Sequence, residues 1–331
     1  NIPRYFQVLR SIALRETTVK REKRIKLLQE QLLDPVKSRA AALQLEAIGK
    51  HGIDALKHGL SSQNTEVRFR SAEALAYLGE QEAAKVLSEV ARNEPAFRVF
   101  ALAALGVMKD DYEAADALKD LLGVPSVETR YGAFRMLSEM HRLKTEYLGE
   151  QFHYCVLPSS HEKMIHVTNS RRPEIVLFGE DQKILTPCLL KAGPRIRISS
   201  DGGNEISISR FGGNQLDQKR IVKNQVDDVI RAIVELEGTY PDVVQVLQDA
   251  KAKNLLPSRF EVDALPDAGR TYHRKPKTVE PYKVEEKPPW WKKVIPAGFN
   301  KEKEEEPEAT VEDGPQTITT DGTTITDESS S

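Results

Sequence analysis

Apolar residues follow a helical rhythm over the first part of this chain and a two-residue rhythm after it. Between about Pro35 and Met140 one pattern keeps returning: Thr65-Glu66-Val67-Arg68-Phe69-Arg70-Ser71-Ala72-Glu73-Ala74-Leu75, then Pro95-Ala96-Phe97-Arg98-Val99-Phe100-Ala101-Leu102-Ala103-Ala104-Leu105, then Ser126-Val127-Glu128-Thr129-Arg130-Tyr131-Gly132-Ala133-Phe134-Arg135-Met136-Leu137. A weaker copy runs from Lys37 to Gly49. Leu75, Leu105 and Leu137 return at intervals of roughly 30 residues, the period of stacked helical pairs. Each copy opens on a turn and runs an Ala- and Leu-rich helix. It often breaks at glycine (Gly49, Gly79, Gly106) and is followed by a second amphipathic helix such as Ala83–Val90. Alanines let paired helices approach closely, while Leu, Val and Phe at i, i+3, i+4 spacing fill the shared core. One pair cannot bury its apolar face alone, so the copies must stack.

The helix start Glu66-Val67-Arg68, with an arginine recurring at Arg98 and Arg130, resembles short HEAT-like repeats, a resemblance that covers about a third of the chain and implies a binding or structural surface. Upstream, Tyr5, Phe6, Leu9, Ile12 and Ala13 share one helical face, and Thr17-Thr18 marks a break and cap before a helix with Ile25, Leu28 and Leu32 on one stripe. The run Lys20-Arg21-Glu22-Lys23-Arg24 mixes charges without aromatics and is expected to be a solvated helix face. The chain opens at Asn1 inside a helical pattern, so an upstream segment and any targeting peptide are expected before it.

After Met140 the period drops to two. Strands are expected at Phe152–Leu157, Met164–Thr168, Glu174–Phe178, Ile184–Leu190, Arg195–Ser199 and Glu205–Phe211, separated by turns at Gly179-Glu180-Asp181, Gly193-Pro194 and Asp201-Gly202-Gly203-Asn204. The last two strands alternate cleanly around the Asp-Gly-Gly-Asn turn and predict a hairpin with one wet and one buried face. Val226, Val229, Ile230 and Ile233 stripe a helix stopped by Gly238, a second helix follows Thr239 and Pro241, and Arg259–Asp263 suits an edge strand. The expected fold is therefore α+β: a HEAT-like helical repeat array over 1–148, a small β-rich module ending in two helices and a strand over 149–264, and a disordered charged, Pro-rich tail over 265–331. Within that tail Trp290-Trp291-Lys292-Lys293 is a candidate docking motif for a partner or lipid surface.

The 331 residues are 39% hydrophobic with a net charge of −2, which supports packed cores and argues against a dedicated nucleic-acid binder. No apolar run reaches the length that spans a bilayer. Cys155 and Cys188 allow one disulfide or two buried thiols. His153 and Cys155 fall at i and i+2 of a strand, with His161 and His166 nearby, but nothing fixes four ligands, so no metal site is expected. Neither cysteine has an orienting histidine motif, and no phosphate loop, nucleophile elbow or paired carboxylates are found. No catalytic residue, cofactor or metal is assigned.

One further resemblance concerns the region after the repeats. Leu236, Gly238, Pro241, Asp242, Leu247, Gln248 and Ala250, followed by Phe260-Glu261-Val262, resemble the C-terminal end of the bacterial flagellar P-ring protein: a helix, a Gly-containing turn, a helix with Leu-Gln-x-Ala, then a short strand. Asn169-Ser170-Arg171, Glu174-Ile175-Val176, Leu185, Cys188 and Gly193 are similar to the β segment before it. Leu255-Leu256 stands where some members carry a second cysteine, and the repeats would be an insertion. The resemblance implies a non-catalytic, periplasmic subunit of a homo-oligomeric ring around the flagellar rod, with other basal-body proteins and the cell wall as neighbours. The alternatives are a cytoplasmic HEAT-like adaptor for a protein partner and, more remotely, a repeat protein with lyase-like or cofactor-handling activity.

Overall fold

In the computed structural model, residues 17–158, 162–212 and 217–274 are described. The expected helix over 2–15, His161, the Trp290-Trp291 pair and the tail from 275 onward lie outside them. Eight helices make the described part of the array: α1 Thr18–Leu32, α2 Ser38–Ile48, α3 Ile53–Leu60, α4 Thr65–Tyr77, α5 Ala83–Asn93, α6 Arg98–Val107, α7 Tyr112–Leu121 and α8 Val127–Glu139. They stack in two rows, with α2, α4, α6 and α8 adjacent in one and α5 against α7 in the other.

Local chemistry explains the helix ends. The Asn64 side chain accepts from the amides of Glu66 (3.0 Å) and Val67 (3.2 Å), Asp111 from Glu113 and Ala114, and Ser126 from Thr129. Such a cap contributes about 1 kcal/mol by satisfying amides that have no intrahelical partner. Gly79 follows α4 with φ 82°, a left-handed turn that admits glycine at little cost. Gly59 serves a different need, because a Cβ there would meet Ser71 Oγ of α4 at 2.1 Å. The recurring arginine is also structural. Arg68, Arg98 and Arg130 donate to the carbonyls of Ser62, Ala91 and Leu122, each at the end of the preceding helix, where a cation complements the helix dipole. Leu45, Leu75, Leu105 and Leu137 are fully buried between alanines that let the rows close up.

The strands are β1 Glu146–Leu148, β2 Phe152–Leu157, β3 Met164–Val167, β4 Glu174–Phe178, β5 Cys188–Ala192, β6 Ile196–Ser200, β7 Glu205–Arg210 and β8 Gln218–Lys223, followed by α9 Val226–Glu235, α10 Tyr240–Ala252 and β9 Arg259–Val262. A mixed sheet runs β1-β2-β4-β3-β9 and an antiparallel meander runs β5-β6-β7-β8. The expected hairpin forms β6 and β7, with Ile198 opposite Ile208 and Arg197 opposite Ser209, and β9 lies at a sheet edge as its pattern predicts. One expectation shifts and two strands are new. The strand expected at 184–190 begins only at Cys188, because the Ile184 and Leu185 amides go to Asn224 and Leu255 and Pro187 has none to donate. Strands β1 and β8 carry too little alternating apolar character to be read in advance.

The mixed sheet is covered on both faces. Cys155, Leu157, Met164, Val176 and Phe178 join the core of the repeats, while Phe152, Tyr154, Ile165, Val167, Ile175 and Leu177 join a second core with α9, α10 and the meander. Helix α8 makes the joint: the Arg130 guanidinium lies over the Phe178 ring and donates to the Glu162 carbonyl, and Tyr131 donates to Glu174 at 2.8 Å. Array and module therefore form one compact unit. Residues 265–274, read from the sequence as the start of the tail, belong to this unit.

Candidate functional site

The segment after β9 runs back along the N-terminal ends of α8, α6 and α4. Pro266 sits against Gly132 of α8, the Arg270 guanidinium makes a two-pronged contact with Glu128, the Tyr272 ring packs at a tilt on Phe97, and Arg274 grips Glu66 at 2.6 and 3.0 Å. Arg270, Tyr272 and Arg274 are alternate residues, and all three side chains meet the repeats. Below them Phe69 and Phe97 stack at 4.5 Å, and the Arg70 guanidinium lies over both rings.

This surface follows from the repeat itself. Glu66 and Glu128 hold equivalent positions in the first turns of α4 and α8, where a carboxylate also favours the helix dipole. Glu66 is 5% exposed, and Arg274 supplies its charge-assisted hydrogen bonds. Arg270, with Arg98 next to it, holds the Glu128 carboxyl below its ordinary pKa. Chemically the face is two carboxylates flanking an aromatic stack, and it reads an Arg-x-Tyr-x-Arg segment. The Glu two residues before the recurring Arg, in Glu66-Val67-Arg68 and Glu128-Thr129-Arg130, carried the signal for the acidic residues. Nothing local signalled their partners, which lie more than a hundred residues away in sequence.

The sequence candidates for chemistry are dispersed. His153 is exposed beside the Tyr147 ring, whereas Cys155 is buried with its thiol against the Lys144 carbonyl. His166 projects into the joint, separated from Cys155 by Val176 of the intervening strand. Its ring stacks on Tyr131 at 3.5 Å, and Nε2 accepts the Ala264 amide at 3.0 Å. Burial lowers its pKa to about 4, so the imidazole is neutral. Among the described residues no group of three or more His, Cys, Asp or Glu side chains is placed to hold a metal ion. Cys155 and Cys188 are free thiols in separate cores. Burial pushes the Cys155 thiol up to about 11 and raises Cys188 as well, so both stay protonated at neutral pH. The expected turn at Gly202-Gly203 joins β6 to β7.

A family model of HEAT repeats matches residues 21–103, which span most of α1 through the first part of α6. No curated protein matches the chain, and no solved structure does. The fold is thus a helical repeat array, HEAT-like over residues 21–103, continued by a small sheet-containing module, and repeats of this kind suit protein–protein interaction.

Proposed function

We propose that this chain is a non-catalytic structural subunit of the bacterial flagellar P ring, built into the periplasmic collar around the distal rod, with its repeats as an added docking surface. The unit α9–Gly238–α10–β9 carries this reading. Leu236 is buried at the end of α9, and the Thr239 amide donates to Asp242 at 2.8 Å to start α10. Leu247 and Ala250 are buried along α10, and β9 pairs with β3. The residues that carry the resemblance are therefore those that hold the turn and the helix packing. A ring of such subunits requires a head-to-tail interface that closes on itself. The test is isolation of hook–basal bodies from the native organism and immunodetection of this chain across the fractions. Co-purification with the rod, together with release in the periplasmic fraction, is the expected result. A monomer confined to the cytosolic fraction overturns it.

The HEAT-like repeats favour a second reading, an adaptor that binds another protein. In that case the chain partitions with its protein partner and is absent from basal bodies.

A further inference from the structure

The outer face of the meander has a composition that packing does not explain. Strand alternation and register place Leu189, Ser199, Ser207 and Ile221 in one cross-strand row and Lys191, Arg197, Ser209 and Lys219 in the next. Leu189 and Ile221 are 59% and 61% exposed, and Phe211, just past β7, is 45% exposed. The two other arginines of β7 and β8 pair with acids of the α9 region, Arg210 with Glu237 and Arg220 with Glu235. No ion pair engages Lys191, Arg197 or Lys219 among the described residues, and Arg197 lies over the Phe211 ring at 5.6 Å. Beside this row a cleft of about 650 Å³ is lined by Lys191, Arg195, Arg197 and Phe211.

We propose that this face docks on an anionic phospholipid bilayer, with Leu189 and Ile221 entering the interface and Lys191, Arg197 and Lys219 meeting lipid phosphates. Three points separate a bilayer from other polyanions. The apolar residues stand at both edges of the sheet, three strand spacings or about 14 Å apart, so they meet a surface rather than a single bound group. Small serines between them leave the face level. A single-stranded nucleic acid requires a series of aromatic platforms, and this face offers one ring, already covered by Arg197. Shallow apolar insertion combined with basic residues is the physics of interfacial binding. No helix among the described residues is long and apolar enough to cross a membrane, so the contact is peripheral.

The experiment is flotation of the full chain with vesicles of phosphatidylcholine and phosphatidylglycerol in equal parts, against phosphatidylcholine alone. The wild type is expected to float with the anionic vesicles only. Lys191→Ala/Arg197→Ala/Lys219→Ala should lower partitioning about a hundred-fold, since each cation near such a surface contributes roughly five-fold. Leu189→Ser/Ile221→Ser should lower it several-fold at unchanged charge. All five positions are exposed, so the variants should melt like the wild type; Lys219→Glu alone gives the same reading should the triple variant melt early. Three results overturn the proposal: no flotation of the wild type, undiminished flotation of the cation variants, or full binding by the serine variant. Tighter binding to a single-stranded oligonucleotide than to vesicles also overturns it, in favour of a nucleic-acid face.

Discussion

The repeat array and the sheet module bury their cores by different routes. In the array every contact layer joins near neighbours in sequence: α4 packs on α3, α5 and the flanking repeats, and the pattern then repeats one step on. In the module β3 is flanked by β4 and by β9, so Met164 lies beside Arg259, and β2 pairs in parallel with β4 across the segment that holds β3. Stability in a stack is close to a sum of repeat and interface terms, whereas non-local pairing must close long loops before any contact is gained. A defect in the array should thus stay local, and a defect in the module should spread.

The largest test of that contrast is a matched pair of cavities. Leu75→Ala and Ile208→Ala each remove a fully buried side chain and should each cost about 2–5 kcal/mol. Hydrogen exchange after Leu75→Ala should rise in α3 to α6 and little elsewhere. After Ile208→Ala it should rise together across β5 to β8, α9 and α10. Equal spread from both would break the comparison.

A pH titration sharpens it, with a smaller effect. Burial, reinforced by Glu73, pushes Glu46 of α2 up to about 7 from 4.5, so this carboxyl holds its proton more tightly in the folded array. Its contribution is complete below about pH 4.5 and is lost as pH rises through about 7. His166 behaves oppositely. Its folded pKa of about 4 lies below the ordinary 6.5, so its contribution is complete above about pH 6.5 and is lost as pH falls through about 4. Raising the pH from 4.5 to 7 should therefore loosen α2 while tightening β3, read as exchange protection corrected for intrinsic rates. Glu46→Gln should remove the first response and His166→Gln the second.

The smallest effect concerns the segment that bridges the two regions. Glu128→Gln should cost little stability, because Arg270 is partly exposed, solvent screens that pair, and the side-chain carbonyl of the variant can still accept from Arg98. The change should show instead as faster tryptic cleavage after Arg270. Unchanged cleavage would mean that Tyr272 on Phe97 and Arg274 on Glu66 suffice to hold the segment.

These contrasts also explain what could be read in advance. The repeat helices, the β6–β7 hairpin and the edge position of β9 were legible because their signals are local: a helical stripe, an alternating pair around Asp201-Gly202-Gly203-Asn204, a short strand after Pro257. Strand β8 was not, because Gln218-Lys219-Arg220 reads as surface and pairs only through its register with β7. The candidate site divides the same way. Glu66 and Glu128 could be located from the repeat, but not their engagement by Arg274 and Arg270, since salt-bridge partners leave no periodic trace in composition.

By itself the sequence determined that the chain stacks helical pairs, then changes period into strands, with turns at Gly79 and Asp201-Gly202-Gly203-Asn204. Those features depend on backbone preferences and on hydrophobic spacing within one or two turns. Tertiary structure alone decided that α8 seals one face of the mixed sheet, that the two cysteines belong to different cores, and that Ala264–Arg274 lies along the acidic face of the repeats. Each of these joins segments far apart in the chain, and the free energy that selects them comes from burying surfaces that no local window contains.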